Sequence, residues 1–117
     1  MREADFRNMV IEYSAIVESV EMFQLSEEEK VSQLKAKLRL TDASILRVRE
    51  IRIKETPEAY SYYWLNPDET VIMGWDNAPH HKSISTFPHH RHIGNDIEVS
   101  EERNLSDVLN FIRNLIG

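Results

Sequence analysis

Between Gln33 and Thr41 the chain alternates strictly, with Leu34, Ala36, Leu38 and Leu40 on one side and Lys35, Lys37 and Arg39 on the other. A period of two is that of a strand with one buried face, so this segment is predicted as a strand. A turn at Thr41–Ser44 leads into residues 45–54, where the apolar phase runs through Leu46 and Val48 and then moves to Ile51 and Ile53. A bulge near Glu50 is expected to restore register. Residues 59–66 alternate Tyr60, Tyr62 and Trp64 against Ser61, Tyr63 and Leu65. The turn chemistry of Asn66-Pro67-Asp68-Glu69 then returns the chain into residues 70–76, which predicts an antiparallel hairpin. The aromatic stripe reads as core rather than as a platform for stacking bases.

The two ends have a different period. Phe6, Met9 and Val10 recur at helical spacing within residues 2–12, and the acidic residues come early, which suits a helix N-terminus. That spacing continues through Tyr13, Val17 and Val20, yet the stretch around them is rich in branched and aromatic residues, so a strand is expected from about 15 to 24, with an acidic loop at 26–30. Near the other end Asn104 is placed to cap a helix carrying Leu105, Val108, Leu109, Ile112, Leu115 and Ile116 on one stripe. Residues 95–99 fit a short strand or a loop. Helix, run of strands, helix is the order of an α+β domain. The expectation is one domain over 1–117, an antiparallel sheet of about five strands with an N-terminal and a C-terminal helix packed on it.

Composition narrows this picture without changing it. The chain has 117 residues, 41% of them hydrophobic, which suffices for a single core. It contains no cysteine, so disulfides and thiolate chemistry are excluded. No apolar run approaches a membrane span, and the opening MREADFRN lacks the apolar core of a secretory signal, so a cytoplasmic protein with no membrane partner is expected. The formal charge of −6 opposes indiscriminate binding to nucleic acid. The charge is unevenly spread. From Gly74 to Gly94 the only acidic residue is Asp76 against Lys82 and Arg91, so this window carries +1 and the remainder −7. Pairing the two central strands gathers Lys35, Lys37, Arg39, Arg47 and Arg49 towards one side of the sheet. That side reads as a solvated face that discourages edge aggregation, or as a docking surface for an acidic partner or RNA.

All five histidines lie in that same window, WDNAPHHKSISTFPHHRH: His80, His81, His89, His90 and His92. Pro79 and Pro88 stand before the two His-His pairs; each fixes its own backbone angle and biases the residue before it towards extended geometry, so both pairs are expected to be rigidly presented. An extended backbone points His90 and His92 to one face and His89 with Arg91 to the other. Three readings follow. In the first, histidines act as general base and general acid on a phosphodiester, with Asp76 orienting a ring and Lys82 and Arg91 stabilising the phosphorane charge; no cofactor is needed. In the second, Asp76 with His80, His81, His90 and His92 supplies ligands to a divalent transition metal. In the third, the rings are structural or face a partner protein.

The residues Tyr60-Ser61-Tyr62-Tyr63-Trp64, Gly74 to His81 and Thr86 to His92 together resemble the TumE-like family of toxin–antitoxin systems, with the similarity running from about Leu38 to Val108. The resemblance implies a toxin neutralised by a cognate antitoxin and acting on RNA, and leaves the oligomeric state open. Carried over on matching positions are Trp75, Asp76, Asn77, Pro79, His80, Pro88, His90 and His92. The family commonly has Arg where this chain has Gly74. On this basis Asp76, His80, His90 and His92 are the expected catalytic residues, and Lys82, Arg91, Asn77 and Trp75 the expected substrate contacts.

Overall fold

The computed structural model describes residues 1–117. Two helices and seven strands follow in the order α1 (Glu3–Glu12), β1 (Val17–Glu28), β2 (Val31–Leu40), β3 (Ile45–Ile53), β4 (Thr56–Leu65), β5 (Val71–Asp76), β6 (His90–Ile93), β7 (Asp96–Val99) and α2 (Leu105–Ile116). The strands form one antiparallel meander, each paired with its neighbour in sequence. The α+β class and the two terminal helices are as the pattern predicts. The sheet has seven strands rather than about five, because the polar segments 90–93 and 96–99 pair as a hairpin beyond β5.

Both helices cover one face of the sheet. Phe6 of α1 meets Phe23 of β1 at 4.7 Å between ring centroids, and Trp75 of β5 meets Phe111 of α2 edge-on at 5.3 Å. Tyr13, just past α1, bonds Ser106 at the start of α2 and carries Arg113 over its ring. Asn104 caps α2 in a reciprocal capping box with Asp107, so two orphan helix-end donors are satisfied. Leu105, Val108, Leu109 and Ile112 are buried beneath it, each worth about 1.5–3 kcal/mol in removal from water. The predicted alternation holds: Leu34, Ala36, Leu38, Leu46, Val48, Tyr60, Tyr62, Trp64 and Trp75 form the sheet side of this core.

Two expectations are corrected. The acidic loop at 26–30 is shorter than predicted, because β1 continues to Glu28 and only Glu29 and Lys30 make the turn. The irregularity expected near Glu50 lies on the β4 side, where the β3–β4 pairing shifts between Ile51 and Arg52 and β4 carries the extra residue; β2 and β3 pair without a shift from Val31↔Ile53 to Arg39↔Ile45, so β3 itself keeps its phase. Glu50 simply occupies a core position, in phase with Leu46 and Val48, and is buried. Its carboxylate accepts the Tyr62 hydroxyl at 2.5 Å and lies 3.7 Å from Arg52. A buried carboxylate needs such partners to offset its lost hydration.

The face opposite the helices is bare sheet. Register places Lys35 beside Arg49, Lys37 beside Arg47, Arg49 beside Ser61, Arg47 beside Tyr63, Ser61 beside Asp76, Tyr63 beside Gly74, Gly74 beside His92 and Asp76 beside His90. Residues far apart in sequence therefore form a continuous row across five strands.

Candidate active site

On β5 the row passes through Asp76, the last residue of that strand. Its backbone leaves the sheet there, and the Ala78 N–H turns back to donate to Asp76 Oδ1 at 2.9 Å. Asn77 holds this exit in place, because its Oδ1 accepts from Tyr60 N and its Nδ2 donates to the Glu58 carbonyl, both at 3.0 Å. The loop closes at Thr86, whose hydroxyl donates to the His89 carbonyl at 2.7 Å and accepts from Ser100 N at 3.1 Å. The chain then re-enters the sheet as β6, directly beside β5.

Asp76 is the hub of the resulting cluster. Its Oδ1 lies 2.8 Å from His90 Nε2, and its Oδ2 lies 3.2 Å from His92 Nε2. The Tyr63 hydroxyl donates to Oδ2 at 2.8 Å. Burial and the adjacent Asp76 push the Tyr63 phenol well above its ordinary value, so it keeps its proton and serves as a fixed donor. Gly74 makes this possible: a Cβ there would lie 2.3 Å from the Tyr63 ring. The chain thus has Tyr63 packed over the position where the family resemblance leads one to expect an Arg side chain.

The His90 ring is 2% exposed and has no nitrogen to spare. Its Nδ1 faces the Pro88 carbonyl at 3.0 Å while Nε2 faces Asp76. Both neighbours are acceptors, so the protonated ring satisfies both contacts and a neutral ring only one. His92 is about a quarter exposed and has only Nε2 engaged. His81, from the loop, completes the group: its ring stands edge-on to His90 at 4.8 Å and to His92 at 5.9 Å. Lost hydration in the cluster, then the neighbouring His90 and His92, lower the His81 imidazole below its usual range, with Asp76 opposing. His81 is thereby kept neutral near pH 7 and free to accept a proton.

The structure therefore brings together Asp76, His81, His90 and His92, with His80 exposed and outside the group. Lys82 is exposed and follows His81 directly. Arg91 and Trp75 point to the other face, as alternation requires. Arg91 pairs with Glu98 at 2.6 Å, and Trp75 is buried against α2. His89 also leaves the cluster, with Nδ1 2.9 Å from the Tyr60 hydroxyl. Tyr63 is the member that sequence reasoning missed. Its only signal is its place on the non-core side of the alternating β4, which says nothing about its reach to Asp76.

The same geometry bears on metal binding. His81, His90 and His92 offer ligating nitrogens that all lie within 4.8 Å of one another. Zinc–nitrogen bonds of about 2.0–2.1 Å require a tighter set, so these rings must draw in to hold an ion. In favour of a fit, a ligating histidine normally donates its second nitrogen to a carbonyl or carboxylate, as His90 does to Pro88.

No curated protein and no solved structure matches the chain. A protein-family comparison does match, and it takes in the second half of α1 and all of β1 as well as the residues that carry the resemblance. That family is described as Toxin TumE, and since its model covers residues 7–116, nearly the whole chain, the protein belongs to it.

Proposed function

We propose that this protein is the toxin of a toxin–antitoxin pair and that it cleaves RNA by acid–base chemistry at the Asp76 cluster. Membership of a toxin family supports the first part and implies a cognate antitoxin as partner. The second part rests on one observation above all: a carboxylate engages two imidazoles while a third, held neutral, stands against them at a solvent-open edge.

The roles follow from which nitrogens are free. His81 removes the proton from the ribose 2′-hydroxyl. The freed oxygen attacks phosphorus, and the departing 5′ oxygen takes its proton from His92. The products are a 2′,3′-cyclic phosphate and a 5′-hydroxyl. Asp76 engages His92 Nε2 and so fixes the ring's orientation, as carboxylates do for catalytic imidazoles, leaving Nδ1 to face the substrate. His90 and Tyr63 are positioning residues that act through Asp76. Lys82 is the cation adjoining the base in the chain.

A second reading is favoured by the three converging nitrogens. A divalent transition ion held by His81, His90, His92 and Asp76 would supply Lewis-acid activation of the phosphate. The pH profile of kcat/KM on RNA in EDTA tests the first reading. A base whose proton affinity is depressed is already neutral at lower pH, so the ascending limb is expected below the ordinary histidine value of 6.5. An ascending limb above 6.5 removes His81 from the role of base. Cleavage that vanishes in EDTA and returns with zinc or manganese installs the metal reading instead.

A further inference from the structure

The bare face carries a second feature that the chemistry above does not use. Lys35, Lys37, Arg47 and Arg49 line a hollow of about 710 Å3 on β2 and β3, whose far wall is Ser61, Tyr63 and Leu65. A second hollow of about 430 Å3 shares Arg49, Ser61 and Tyr63 with the first and reaches Asp76. Through these shared residues the two hollows run together as one trough from the cations as far as Asp76. Adjacent strands lie about 4.8 Å apart, so β2 to β6 spans roughly 19 Å.

The cations are neutralised unevenly. Lys35 and Arg49 are exposed and enter no ion pair. Lys37 and Arg47 both face a single anion, Glu69 of the β4–β5 turn, with Lys37 at 3.6 Å and Arg47 in direct contact. Glu69 has φ +70, a left-handed conformation that disfavours a residue with a side chain. The turn keeps a carboxylate where glycine would be the easier choice. The Arg47 hydrogen bond, and then the charges of Arg47 and Lys37, hold the Glu69 carboxyl below its usual range, so it remains an anion in the trough.

The geometry points to this trough as the track for the phosphates of single-stranded RNA, with the Glu69 carboxylate occupying one phosphate position until the strand arrives. Charge favours it, because four cations are gathered in one hollow of a chain whose net charge is −6. Continuity favours RNA over an acidic protein, because the trough leads to Asp76, which engages His92 of the proposed cutting pair. The inference deepens the nuclease reading and rests on it.

The test is fluorescence anisotropy of a labelled 2′-O-methyl RNA, which lacks the nucleophile and stays intact. The log of affinity against the log of salt should have a slope near −2.8, about −0.7 for each of four phosphates. Lys35→Ala with Arg49→Ala should flatten it by about 1.4 and weaken binding tenfold or more. Glu69→Gln should tighten binding at least threefold. Unchanged binding in the double variant, or no gain in Glu69→Gln, overturns the proposal, as does polyglutamate binding in the trough where RNA does not. The nuclease reading fails separately. Charge-dependent binding by a protein that leaves ordinary RNA intact keeps the track and removes the chemistry. Cleavage whose KM is the same in the double variant keeps the chemistry and removes the track.

Discussion

Asp76→Asn is expected to lower kcat on RNA by roughly 10²–10⁴-fold, the range spanned by general acid–base groups. The loss comes from several contacts at once. Asp76 accepts from Tyr63 and Ala78 and faces the Nε2 atoms of both His90 and His92. An amide has one acceptor oxygen where the carboxylate has two, and it carries no charge to balance a protonated ring. Either His90 and Ala78 on the Oδ1 side or His92 and Tyr63 on the Oδ2 side then face an amide nitrogen in place of an acceptor. Leaving a buried polar group without its hydrogen-bond partner costs about 1–3 kcal/mol, so the urea midpoint should fall as well. Tyr63→Phe separates the effects, since it removes one donor to Oδ2 and leaves both histidine contacts. It should slow catalysis by a smaller factor with little loss of stability. Wild-type turnover in Asp76→Asn would show that the carboxylate is structural only.

The second large effect lies within a pair of adjacent residues. His81→Ala is expected to reduce kcat by about 10²–10⁴-fold, and His80→Ala to leave it within about twofold. The two side chains are alike in type and neighbours in sequence, so composition, expression and net charge do not separate them. Only the loop geometry does, because His81 stands against His90 and His92 while His80 is exposed. His92→Ala should match His81→Ala on ordinary RNA, yet it should recover most of its rate on a substrate whose leaving oxygen needs no proton. His81→Ala should not recover. Equal losses from His80→Ala and His81→Ala would move the site outward, away from Asp76.

What could be read from the sequence, and what could not, follows from the range of the interactions. The alternation of Leu34, Ala36, Leu38 and Leu40 and the stripe of Leu105, Val108, Leu109 and Ile112 are local periodicities and came out as predicted, except that Leu115, expected on the same stripe, lies exposed in the last turn of α2. The same alternation placed His90 and His92 together and Arg91 opposite them, which the pairing of Arg91 with Glu98 reflects. Glu50 misled because a charge at a core position imitates a change of phase. Its partner, Tyr62, is a cross-strand contact that no local window contains. β6 and β7 are short and polar and have little strand signal of their own; they form because β5 offers an edge. The choice between His80 and His81 rests on a few turn hydrogen bonds around Ala78 and Thr86. Tyr63 reaches Asp76 only because Gly74 leaves its ring room, a relation between two strands.

The Toxin TumE assignment and the α+β sheet stand on the family match and the fold. The central claim, that protons moved by His81 and His92 break RNA, is tested most directly by the ends of the fragments. Purified protein incubated with a defined RNA in EDTA should yield 2′,3′-cyclic phosphate and 5′-hydroxyl termini. Intact RNA, or 5′-phosphate and 3′-hydroxyl ends that form only with added divalent metal, would contradict it.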